Sequence, residues 1–135
     1  MSLITWTKEQ FATNVSAHDA EHQEIFRLVN VLGDAVVSGD RSSIGKQLDA
    51  LIDYVVKHFA AEEANFAQHD YPAAAGHKAE HDKLVATCAD LQKKFHAGEA
   101  DVTGDTAAFV VGWLTDHIPN IDRLYGPYLN AKGVA

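Results

Sequence analysis

Eight histidines stand in a chain of 135 residues that carries one cysteine and a formal net charge of −8. Five of them, with two carboxylates, occupy positions where a helical stripe calls for Leu or Ile. These are His22; His58 and Glu62, spaced i,i+4; His77 and His81, also i,i+4; and His117 and Asp122, spaced i,i+5. An i,i+4 pair projects from one helix face within ~40°. Burying one carboxylate unpaired costs several kcal/mol, and burying a cluster costs more. A core that takes in all seven groups needs something to compensate them, and bound metal cations do.

The donor count narrows the metal chemistry. Seven donors are too many for one ion, since four complete a structural zinc site. They suit two ions bridged by the carboxylates, one with three imidazoles and the other with two. The two-imidazole ion keeps a vacant position. Imidazole with carboxylate suits iron and other first-row transition metals. An open position on a redox-active pair is where a small molecule binds.

Four helices must position these groups. Met1 to about Ala17 is expected to be an irregular arm, with Leu3, Trp6, Phe11 and Val15 able to drape over a core. The first helix is placed at about His18–Ser38, on the stripe His22, Ile25/Phe26, Val29, Leu32, Val36, and ends before Gly39. The second starts near Arg41 or Ser42, capped by Asp40 or Ser42, and runs to about Gln68 through Leu48, Leu51, Val55, His58 and Glu62. The third runs from about Pro72, which suits a first turn, to Ala97. Its stripe is His77, His81, Leu84, Cys88, Leu91, Phe95. The fourth runs from about Gly104 to Asn130, with Thr103 or Asp105 as cap, and is interrupted at Pro119 and Gly126-Pro127.

Short loops make neighbouring helices antiparallel, so the fold class is all-α, an up-down-up-down four-helix bundle with an irregular N-terminal arm. Residues 1–135 read as one domain, with the arm over 1–17 and the bundle over 18–131. The His58–Glu62 and His77–His81 pairs then face each other at similar height. His117 and Asp122 lie ~140° apart on an ideal helix. Both face a common site only if the helix is disturbed, and Pro119 cannot donate back to Thr115. A π-type bulge or kink is therefore expected at Thr115–Asp122.

Composition excludes several classes. Apolar residues at 47% supply a core and rule out wholesale disorder. The acidic balance argues against nucleic acid and anionic membranes. No apolar run approaches ~18 residues, so no membrane insertion is expected. One cysteine makes no internal disulfide, and nothing marks export, so the cytoplasm is the default.

The pattern of one His on the first helix, then HxxxE, HxxxH and HxxxxD, resembles the hemerythrins, most closely the single-domain bacterial members. The resemblance spans nearly the whole chain. It includes Leu3-Ile4-Thr5-Trp6, the HFxxEE segment at His58, His77–Leu84 and the WLxxHI segment Trp113–Ile118. It implies a non-haem di-iron centre that binds O2 reversibly. His77, His81 and His117 would fill one iron; His22 and His58 would hold the other, which keeps the vacancy. Glu62, Asp122 and a solvent-derived oxo or hydroxo bridge would join them. Phe59, Trp113, Leu114 and Ile118 match the apolar O2 pocket. The first-helix segment departs from the family pattern: His18 and Glu21 are unusual there, and they change the polarity near the pocket.

The remaining polar groups have plainer readings. His18, His69 and His96 lie near helix ends or loops and are expected to be exposed. Cys88 is read as a small core residue. Glu63 sits one residue off the stripe and is read as solvated, with contact to a ligand the lesser alternative. Tyr71 and Tyr125 are read as packing residues, with a hydrogen bond near the site the lesser alternative.

The expected function is oxygen storage, buffering or delivery to an oxygen-consuming enzyme by a monomer that is not itself an enzyme. An O2- or redox-sensing module would call for an output domain, for which this length leaves no room. A peroxide- or nitric oxide-reducing enzyme would show turnover. Four-helix di-iron oxygenases use Glu-x-x-His pairs, and none supplies core ligands here.

Overall fold

The computed structural model describes residues 2–135 and is helical throughout its regular elements. After a one-turn helix α1 (Lys8–Phe11), the bundle helices are α2 (Ser16–Ser38), α3 (Arg41–Gln68), α4 (Ala74–His96) and α5 (Gly104–Asn120). A 3-10 turn (Asp122–Leu124) leads into α6 (Tyr125–Ala131).

Local chemistry sets the boundaries. Gly39 closes α2 with φ of 75°, a left-handed conformation that costs glycine nothing. Asp40 caps α3, its carboxylate accepting from the Ser43 amide at 3.3 Å. Thr103 caps α5, and its amide donates to Thr106 Oγ1 at 3.2 Å. Besides the start of α2, which comes at Ser16, two expected ends move. Asp70 turns left-handed with φ of 53°, so Pro72 sits in a turn and α4 begins at Ala74. The second is the expected fourth helix, which is broken rather than continuous.

That break satisfies the geometry that His117 and Asp122 demand. The helix is disturbed after Pro119 as expected, but it tightens into a 3-10 turn and does not widen into a π-bulge. The Ile121 amide still donates to the His117 carbonyl at 2.8 Å, and the Leu124 amide donates to Ile121 at 3.2 Å. The Gly126-Pro127 pair is not an interruption: it lies in the first turn of α6, where missing amide donors are tolerated.

Contacts fix the antiparallel arrangement. The start of α2 meets the C-terminal half of α3 through Glu21 and His58. The end of α4 meets the start of α3 through Gln92 and Asp49, and the start of α2 meets the 3-10 turn that follows α5 through His22 and Asp122. The arm drapes as expected through Ile4, Phe11, Ala12 and Val15, while Leu3 stays exposed and Trp6 is half-buried. Asn30 holds both the amide and the carbonyl of Ile4, and Asp19 accepts from the Thr13 amide at 2.8 Å. One large apolar cluster, from Ile4 in the arm to Ile118 in α5, fills most of the bundle. A smaller one, Val15, Phe66, Tyr125 and Leu129, closes the other end. A layer of buried polar side chains lies between them.

Candidate metal centre

The seven groups picked out by spacing all lie in this layer, and all are buried. Helix α2 delivers His22, α3 delivers His58 and Glu62, α4 delivers His77 and His81, and α5 delivers His117. Asp122 comes from the 3-10 turn. Their donor atoms fall into two groups. His77, His81, His117 and Asp122 converge within 4.8 Å of one another, and so do His22, His58, Glu62 and Asp122. Glu62 lies between the two groups. Its Oε2 is 3.4 Å from His58 Nε2, and its Oε1 is 3.2 Å from His81 Nε2. Asp122 does the same, with Oδ2 at 3.1 Å from His22 Nε2 and Oδ1 at 2.9 Å from both His77 and His117 Nε2.

The donor atoms themselves test whether cations fit. Nε2 of His22, His77, His81 and His117, Oε1 of Glu62 and both carboxylate oxygens of Asp122 are buried without a hydrogen-bond partner. Buried polar atoms are nearly always paired. So many orphans pointing at one another, imidazole nitrogens against carboxylate oxygens, is the donor set of a cation site.

Surrounding groups hold the donors in place. His58 Nδ1 donates to Glu21 Oε1 at 2.9 Å, and His81 Nδ1 donates to Glu63 Oε2 at 2.9 Å. Carboxylates that accept from a ligand imidazole fix its ring and raise its basicity. Tyr125, fully buried, donates its hydroxyl to Glu62 Oε2 at 2.6 Å. Burial, Glu62 and Asp122 together push its phenol pKa well above 10. Burial works against ionised Glu62, yet the imidazoles outweigh it and hold its pKa well below the usual carboxylate range.

Four plain readings are therefore corrected. His18 is not exposed: it is 1% accessible, with Nδ1 3.0 Å from Glu21 Oε1 and Nε2 2.8 Å from Asn65 Nδ2. Its signal was the spacing, because it stands four residues before His22 on the same face, and α2 starts two residues earlier than expected. Glu63 is not simply solvated, because it pairs with His81. Tyr125 is more than packing, because it donates to Glu62 from three residues beyond Asp122. His69, also expected to be exposed, is half-buried and directs Nδ1 at the Asn65 carbonyl at 2.9 Å. His96 is exposed and pairs with Asp49 at 2.8 Å. Cys88 packs against the core, and burial pushes its thiol pKa up. Tyr71 packs on Phe66 and Tyr128.

The apolar candidates wall one side. Phe59 stacks on His81, centroids 3.7 Å apart and planes 2° from parallel. Trp113 stacks on His117 at 4.1 Å. Phe59, Trp113, Leu114 and Ile118 also line a cavity of about 60 Å³ that reaches His22, His58, His117 and Asp122. Its walls are almost wholly apolar, so it suits a small nonpolar molecule better than bulk water.

The family model of the hemerythrin HHE cation binding domain matches residues 13–129. A bacteriohemerythrin of Methylococcus capsulatus (strain Bath) is 60% identical over 131 residues, which is 97% of this chain and 100% of that protein. Another, of Stenotrophomonas maltophilia, is 30% identical, covering 97% of this chain and 84% of the relative. A crystal structure of wild-type hemerythrin superposes with a TM-score of 0.93 at 60% identity, over 94% of this chain and 98% of that one. In the described chain, no helix is long and apolar enough to cross a membrane.

Proposed function

The chain belongs to the hemerythrin family, and on that premise we propose that it binds O2 reversibly at a non-haem di-iron centre. The observation that carries the reading is the division of the buried donors into a three-imidazole and a two-imidazole group, with Asp122 in both and Glu62 facing imidazoles of each. His77, His81 and His117 would hold one iron, His22 and His58 the other, and Glu62 and Asp122 both. When bound, ferrous ions supply the electrons that O2 borrows and returns on release. Everything else is the protein's work. The two-imidazole group would have one imidazole fewer, and both of its imidazoles line the cavity against one, His117, of the other group, which supports O2 entering on that side. Phe59, Trp113, Leu114 and Ile118 keep water and reductants from the site. Glu21 and Glu63 hold the imidazoles in register.

The reading is of a binding protein and not an enzyme. It takes the chain as a cytoplasmic monomer that stores or buffers O2, or delivers it to an oxygen-consuming enzyme. Metal analysis with an optical spectrum tests it. Iron in a two-to-one ratio to chain, and a visible charge-transfer band that appears in air and fades when O2 is removed, are expected. A preparation that takes up zinc but not iron, or that oxidises once without reversal, would contradict it.

A further inference from the structure

The two halves of the centre are braced alike, but only one brace is itself held. Glu63 accepts from His81 and from no other imidazole, while Glu21 accepts from His58 and also from His18. The Glu21 side chain is 27% exposed. A carboxylate that reaches solvent from the start of a helix is free to leave His58 for water unless a second donor pins it. His18 is built for that task. Its ring is buried and packs edge-on against Tyr125 and His58, with centroids at 5.6 and 6.0 Å. Asn65 Nδ2 donates to His18 Nε2, which fixes the proton on Nδ1, and Nδ1–H then donates to Glu21. The hydrogen bonds run in one direction, Asn65 to His18 to Glu21, and meet the one coming from His58.

The geometry points to His18 as a positioning residue: it clamps Glu21 in the rotamer that orients His58, and so governs retention of the cation on the two-imidazole half. The inference rests on the proposed two-ion centre for its consequence, but the clamp itself does not need metal to be observed. The ring of His18 meets Tyr125, which in turn meets His77 of the three-imidazole half.

Two substitutions separate clamping from packing. His18→Phe keeps ring bulk and removes the donor. His18→Asn keeps an N–H near the place of Nδ1. The first readout is nitrogen-resolved NMR of histidine-labelled full-length chain without metal. Slow-exchanging Nδ1–H signals are expected for His18 and His58 in the unaltered chain. The His58 signal should be lost in His18→Phe and retained in His18→Asn. The second readout is iron release to a chelator. His18→Phe should speed release of one of the two ions roughly 10- to 100-fold, the effect usual when a group behind a metal ligand is lost. His18→Asn should restore it, and Glu21→Gln should fall between them. An unchanged His58 signal in His18→Phe would overturn the clamp, as would equal acceleration of both ions alongside a lower melting temperature. If the unaltered chain holds fewer than two irons, the proposed centre fails while the NMR result still decides the clamp.

Discussion

Glu62 concentrates the demands made on single residues. It is fully buried, faces imidazoles from three helices and takes the one tyrosine hydroxyl that reaches the layer. Tyr125→Phe removes that donor with no change of ring volume. Leaving a buried carboxylate oxygen short of a partner costs about 1–3 kcal/mol. We expect that loss in denaturant unfolding, together with faster iron release; unchanged stability would show the hydroxyl to be idle. Phe59 presses flat on His81 and walls the cavity. Phe59→Ala should cost about 3–5 kcal/mol and admit water, so oxidation of the loaded protein in air should quicken; unaltered oxidation would remove Phe59 from the barrier. Proton competition belongs to the same scale. Burial disfavours the His58 imidazolium, but Glu62 and Glu21 outweigh burial and raise its pKa from 6.5 to about 10 in the metal-free chain. That pairing stabilises the metal-free fold fully below 6.5 and is lost as pH rises through about 10. Metal must displace this proton, so uptake near neutrality should release protons and weaken as pH falls. An indicator dye followed during metal addition reads this directly, and uptake without proton release would contradict it.

At the scale of elements, most of the site was legible because helices repeat. The i,i+4 pairs on α3 and α4 stand out as soon as the 3.6-residue period is laid over the sequence. The 3-10 turn was less so. Pro119 announces a break, yet whether the chain widens or tightens there depends on where α6 must go. That destination is set by Gly126, where a Cβ would sit 2.2 Å from the Thr13 carbonyl oxygen. Helix α6 thus rests directly on arm backbone, a long-range contact that no local pattern reveals. Gly126→Ala should therefore force the arm and α6 apart, costing about 1–3 kcal/mol, and should loosen Tyr125 from Glu62. Thermal unfolding with the release kinetics checks both; a neutral substitution would show the contact to be soft. His18 and Tyr125 escaped for a related reason. His18 opens the expected first helix, where side chains are ordinarily solvated, and Tyr125 falls inside an expected unbroken fourth helix, where it is read as packing; tertiary structure put both beside the site.

For the whole molecule, a polar layer divides two apolar clusters, and the four helices meet across charge rather than across hydrocarbon. Such a layer favours the fold only when its orphaned atoms are satisfied, so metal binding and folding are coupled. Chelation should lower the melting temperature and restored metal should raise it; equal stability with and without metal would contradict the coupling. Glu62 and Asp122, counted in the net charge of −8, face the layer and leave the surface less acidic than that figure. The central claim is reversible O2 binding, and it is tested most directly by titrating the anaerobic ferrous protein with O2 and then sweeping with argon. The account predicts saturable uptake in fixed ratio to iron, an optical band that rises with it, and full recovery of both through repeated cycles. Continued O2 consumption, or a first exposure that argon does not reverse, would contradict it.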